Sequence, residues 1–154
     1  MDNPNCFLDE YLLIKRPCLT VGDLSKSLSI YRDILGFQLI YQSKADSNSY
    51  LYSVFNLPQS ASLTFAALST KDNPRALALT EVKGVELSSS PLTYSCALVI
   101  QVSALTKKIE QLEQLNLFIA PPNHFTTENN LSFTEQAFCD YDGHRIMLYE
   151  QKPE

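Results

Sequence analysis

Arg16, Cys18 and Thr20 alternate along the stretch KRPCLTV, which places a permanent cation, a thiol and a hydroxyl on one face of an extended chain. A guanidinium on such a face attracts a carboxylate, phosphate or similar anion through two parallel hydrogen bonds. Arg16 has a second reading as a rim residue paired with Glu10 or Glu150, and the sequence leaves both open. Cys18 reads first as a small apolar wall residue, because no histidine or helix terminus adjoins it to activate the thiol. His124 follows two prolines in an irregular segment and His144 sits in the DYDGH turn, so the two do not form a metal site by spacing. Asp140 and Asp142 belong to the same turn and read as turn chemistry, since short carboxylates bond their own backbone there.

The four cysteines, Cys6, Cys18, Cys96 and Cys139, show no C-x-x-C spacing and read as free thiols in a reducing compartment. With 12 basic and 17 acidic residues, the net charge of -5 argues against a nucleic-acid partner, which requires clustered Lys and Arg. The start of the chain has no basic segment followed by an apolar run, and no stretch approaches the roughly 20 apolar residues that span a bilayer. A cytoplasmic protein without membrane contact is the expectation.

The elements that position these residues are organised around Asp23–Phe37, DLSKSLSIYRDILGF. Asp23 offers a capping oxygen, Leu24, Leu28, Tyr31 and Leu35 recur at helical spacing, and Gly36 supplies a left-handed stop. Strands are expected on either side, from about Leu12 to Val21 and from Phe37 to Ala45, with further strands at Tyr50–Phe55 and Ser62–Leu68. Residues 70–91 read as an elaborated connector around the alternating island RALALTEV. An offset of 81 residues then carries Val21, Leu24, Leu28 and Tyr31 onto Val102, Leu105, Ile109 and Leu112. Ser103 is the expected cap of this second helix, Asn116 its stop, and Ser132–Cys139 and Arg145–Gln151 the closing strands.

This repeat predicts an α+β chain of two paired βαβββ modules, one over about residues 11–69 and one over about 92–151, within a single domain spanning 1–154. A sheet with one helix covers only one face. Two such sheets side by side make a cupped, mostly antiparallel surface whose concave side is the natural ligand pocket. If Leu19 and Val21 pack beneath the helix, Arg16, Cys18 and Thr20 face the cup. The repeat adds Ala97, Val99 and Gln101, the last strand adds Met147 and Tyr149, and Tyr52 and Thr64 are further candidates.

The segments LTVGDLSKSLSIYRDILGF and FTEQAFCDYDGHRIMLYE, with the repeat between them, resemble the vicinal oxygen chelate superfamily of glyoxalase, bleomycin-resistance and dioxygenase proteins. In its metal-dependent members the resemblance implies four side chains, usually His or Glu, projecting from the first and last strands of each module. Here the first position falls on Arg16, the repeat carries it to Ala97, the acidic position falls on Met147, and Ser62–Ser69 holds no carboxylate or imidazole. Arg16 has no lone pair to donate, Ala97 has no donor atom, and a thioether suits soft metals. The expectation is therefore a protein with no metal or cofactor that binds or sequesters a small organic anion, leaning away from enzymatic turnover. The alternative is a metal-dependent lyase, isomerase or dioxygenase using donors such as Cys18, His144 or Glu150. A purely structural or protein-binding role is a third class. The resemblance also implies pairing as a homodimer.

Overall fold

The computed structural model describes residues 14–87 and 96–152, and Leu12, where the first strand was expected to begin, lies outside them. In chain order the elements are β1 (Cys18–Val21), α1 (Leu24–Leu28), β2 (Gln38–Lys44), α2 (Leu51–Val54), β3 (Ser62–Ser69) and β4 (Leu77–Lys83). The second half follows with β5 (Ala97–Gln101), α3 (Leu105–Glu113), β6 (Asn123–Thr126), β7 (Ser132–Cys139) and β8 (Arg145–Gln151). The strands form two sheets of the same topology, β1-β4-β3-β2 and β5-β8-β7-β6. In each, the first and last strands pair in parallel while the other neighbours run antiparallel.

Local chemistry starts and stops the first helix as the sequence predicts. Asp23 accepts a hydrogen bond from Lys26 N at 3.1 Å, and Gly36 adopts φ +91°. Between them the chain widens into a π-helix over Ser29–Ile34, closed by the Leu35 N to Ile30 O bond of 2.9 Å. The second helix starts differently. Ala104 sits at φ +55° with no side-chain cap of its own, and Glu150 on β8 accepts from Ala104 N at 2.6 Å and Leu105 N at 3.3 Å. Glu81 on β4 plays the same part in the first module, accepting from Leu24 N at 2.7 Å. A carboxylate at a helix N-terminus satisfies orphan amides and complements the dipole. The closing strand of each module thus holds its own helix.

Both helices press their apolar stripes into one core. Leu24, Leu28, Ile30 and Tyr31 join Leu105, Ile109 and Leu112 there, with Ala66, Leu68, Leu77 and Leu79 from the first sheet and Phe138, Ile146 and Leu148 from the second. The two modules therefore share one helix-side interior. Their junction is polar. His144 Nε2 donates to Thr20 O at 2.6 Å, Gly22 N donates to Asp142 Oδ1 at 2.8 Å, and the buried Tyr31 hydroxyl donates to Asp140 Oδ2 at 2.7 Å. Burial first and the adjacent Asp140 carboxylate second raise the Tyr31 pKa far above the ordinary phenol range.

Asp142 carries a pH signature. Its pKa is raised, chiefly by burial, against the lowering effect of the Gly22 amide. A carboxyl with a raised folded-state pKa favours folding when protonated, and that contribution is lost as pH rises through the folded-state value. Asp142→Asn keeps an acceptor for Gly22 and removes the partly desolvated charge. Its melting temperature is expected to exceed that of the parent at pH 7, with the gap narrowing as pH falls below the Asp142 pKa. A gap independent of pH would contradict this assignment.

Three elements differ from the sequence reading. Tyr50–Phe55 forms no strand, because Ser49 Oγ accepts Leu51 N at 3.3 Å and the chain turns into α2. The segment assigned to the connector forms β4, the interior strand between β1 and β3. Leu77, Ala78, Leu79 and Thr80 are all buried there, so both faces of this strand are covered. Finally, the PPNHFTTENN segment contains β6, which pairs with β7 through Phe125 and Phe133.

Candidate functional site

Alternation along the strands assigns each candidate to a face. In the first sheet Leu19, Val21, Ala66, Leu68, Leu77 and Leu79 point to the helices. Cys18, Thr20, Ala78 and Thr80 consequently point the other way, away from the helices. Cys18 Sγ and Thr80 Oγ1 lie 3.5 Å apart, which fits Cys18 as a wall residue hydrogen-bonded to its neighbour. Tyr41 and Phe65 extend this surface outward, their ring centroids 6.2 Å apart.

Of two further candidates, Thr64 turns to the other face and Tyr52 keeps the expected face on a different element. Thr64 pairs opposite Glu81, whose side chain reaches the α1 N-terminus, so Thr64 lies on the helix side. A register difference of one residue turns a side chain to the other face of its sheet. Tyr52, expected on a strand, rides on α2 and packs with Ala61, Leu63 and Val82. Leu63 and Val82 share the face of Phe65 and Thr80, so Tyr52 stays on the Cys18 side of the sheet, with its hydroxyl engaged by Ala61 O at 2.9 Å.

Arg16 continues the line of β1. Ala78 N donates to Pro17 O at 3.1 Å, which carries the β1–β4 pairing back past Cys18 and leaves Arg16 on the Cys18 and Thr20 face. Its Nη1 atom is buried and has no hydrogen-bond partner among the described residues. Glu150, one of the two carboxylates weighed as its partner, is occupied at the start of α3. Glu10, the other, lies outside the described residues. A buried guanidinium nitrogen without an acceptor is costly.

The second sheet presents Ala97, Val99, Gln101, Met147 and Tyr149 together, on strands in register. The Tyr149 hydroxyl donates to Gln101 Oε1 at 3.2 Å. Arg145, opposite Ala97, shares this face and is exposed, which adds a second cation that sequence reasoning missed. Its signal was available in the alternation with Met147 and Tyr149. Between the modules, Pro17, Ala76 and Leu77 meet Leu98, Val99 and Gln101 around a cavity of about 340 Å³.

The metal positions can now be placed on the fold. The last strand of the first module is β4, not Ser62–Ser69, and Glu81 corresponds in it to Glu150, so Ala78 corresponds to Met147. The four positions are then Arg16, Ala78, Ala97 and Met147, which provide one thioether and no imidazole or carboxylate. Among the described residues no group of three or more His, Cys, Asp or Glu is arranged to hold a metal ion. The alternative donors are committed elsewhere, His144 to Thr20 and Glu150 to α3. The residues present do not fit the divalent ion that the family implies.

Residues 13–148 match the model of the Glyoxalase/Bleomycin resistance protein/Dioxygenase superfamily, and the chain belongs to that superfamily. Among solved structures, a glyoxalase family protein from Bacillus cereus is similar with TM-score 0.74 and 15% identity, covering 96% of this chain and 99% of that one. The trypanothione-dependent glyoxalase I of Leishmania major is similar with TM-score 0.61 and 18% identity, over 91% of this chain and 87% of its own. A fosfomycin resistance protein from Listeria monocytogenes, complexed with Mn(II) and sulfate, is similar with TM-score 0.51 and 17% identity, over 92% and 95% of the two chains. Likeness at these identities concerns the fold. No curated protein matches the sequence. Among the described residues no helix is long and apolar enough to cross a membrane.

Proposed function

We propose that this protein binds a small organic anion in the cup of the paired sheets, with the Arg16 guanidinium supplying the positive charge that metal-dependent relatives draw from a divalent ion. The observation that carries this reading is the buried Nη1 of Arg16, which has no hydrogen-bond partner among the described residues and stands where the superfamily resemblance puts a metal ligand. The exposed Arg145 on the open face of the second sheet supports it, as does the mainly apolar lining with few polar handles. The protein acts by binding or sequestering its ligand, in the manner of the bleomycin-resistance branch. Its placement in the cytoplasm rests on the free thiols Cys18, Cys96 and Cys139. Assembly as a homodimer is carried over from the family alone.

The test measures metal content of the purified protein, then melting temperature with Mn(II), Ni(II) and Zn(II), and with acetate and benzoate. No bound metal, no stabilisation by ions and stabilisation by carboxylate are expected. Arg16→Gln is expected to weaken carboxylate binding roughly 10- to 100-fold, the worth of a charge-assisted hydrogen bond. One metal per chain, or carboxylate affinity unchanged in Arg16→Gln, would overturn the reading.

A further inference from the structure

On the helix side of the second sheet, away from the cup, a groove of about 440 Å³ runs between α3 and the strands β6 and β7. Leu105, Ile109 and Pro122 give it an apolar side, while Glu110, Glu113 and Gln136 give it a polar edge. The helix sorts its charges to make this edge. Leu105, Ile109 and Leu112 turn into the core, which leaves Glu110 and Glu113 on the flank toward β6. Lys108 falls on the other flank, where it lines a separate cavity beside Leu35 and Phe37. Among the described residues no Lys or Arg borders the groove, and neither carboxylate belongs to an ion pair.

Both carboxylates are ill placed for the helix alone. Like charges three residues apart on one helix face repel. They also stand in the C-terminal half of α3, where the helix dipole favours positive charge. Across the groove, Gln136 donates its amide to Ala120 O at 2.9 Å and keeps its carbonyl oxygen as an acceptor. The edge is therefore built of acceptors beside apolar surface in the same cavity. We propose that this groove is a binding site separate from the cup, and that its ligand is a small organic ammonium ion with an apolar tail. An ammonium head brings three donors and no acceptor to Glu110 and Glu113. The tail lies along Ile109, Leu105 and Pro122. From Glu110 back to Leu105 the helix rises about 7.5 Å, the length of a chain of roughly six carbons. The site does not depend on Arg16, and its ligand has the opposite charge to the one assigned there.

The experiment titrates the full chain with hexylamine, hexanol and hexanoate and follows backbone amide shifts by nuclear magnetic resonance. Hexylamine is expected to move the amides of α3, Thr134 and Gln136 and to saturate with Kd about 1 mM, in keeping with seven non-hydrogen atoms. Hexanol is expected to bind about tenfold more weakly, and hexanoate to leave these amides in place. Glu110→Gln with Glu113→Gln, its fold checked by the dispersion of the same spectrum, is expected to weaken hexylamine about five- to tenfold. Asp72→Asn with Glu86→Gln makes the same charge change at exposed positions outside the groove, and should leave the affinity unchanged, as should Arg16→Gln. Hexanol as tight as hexylamine, or hexylamine affinity unchanged in the Glu110 and Glu113 variant, would overturn the cation assignment. An equal loss in the remote variant would reduce the effect to net charge and overturn it too. No shift of these amides at about ten times the expected Kd would overturn the site itself.

Discussion

Asp140→Ala is expected to destabilise the fold by about 3 kcal/mol, since removing one acceptor strands one buried and two part-buried donors at once. Asp140 is 5% exposed and receives three hydrogen bonds, from the Tyr31 hydroxyl, from Asp142 N at 3.0 Å and from His144 N at 2.8 Å. The first comes from the opposite module; the other two shape the turn that sends His144 to Thr20 and Asp142 to Gly22. One carboxylate therefore builds the turn and fastens the two modules together. Tyr31→Phe removes only the inter-module bond and is expected to cost about 1.5 kcal/mol, leaving Asp140 its two backbone donors. In urea denaturation the two losses should not add, because both act on one contact. An Asp140→Ala variant within about 0.5 kcal/mol of the parent, the range typical of neutral surface changes, would refute this junction.

That junction was the least legible part of the chain. Asp140, Asp142 and His144 were read as turn chemistry, which the Asp142 and His144 amide bonds bear out. Their partners Thr20, Gly22 and Tyr31 lie more than a hundred residues earlier, and no local pattern announces a hydrogen bond of that span. The helix at Asp23–Gly36 and the internal repeat were readable because caps, stops and apolar spacing are local signals. The strand-like alternation of RALALTEV was readable too, but not its place as the interior strand β4, because it was framed by Ser, Asn and Pro and read as a connector. Missing β4 had a direct effect on the site: it moved the fourth metal position from Ala78 to the wrong strand. The run Tyr50–Phe55 fits a short strand or a helical turn equally well, and only Tyr52 packing on Leu63 and Val82 decides between them. Thr64 was lost to a one-residue register error.

The largest expected gain of function follows from the same register. If the fold still brings positions 16, 97 and 147 together as in metal-dependent relatives, then only donor atoms are missing. Arg16→His with Ala97→His and Met147→Glu supplies two imidazoles and a carboxylate, a set suited to Mn(II), Fe(II) or Zn(II). The triple variant is expected to bind Zn(II) with Kd in the micromolar range or below, about 8 kcal/mol of binding free energy. At a hundredfold excess of metal over Kd, its stability should rise by about 2.7 kcal/mol, visible as an upward shift in melting temperature absent from the parent. Carboxylate affinity provides the decisive comparison. Loss of the guanidinium should weaken it roughly 10- to 100-fold in the apo variant, and added Zn(II) should restore it, since metal and guanidinium would then present charge to the same place. A folded triple variant that ignores Zn(II) would mean that these positions do not converge, and the substitution of an arginine for a metal would lose its basis.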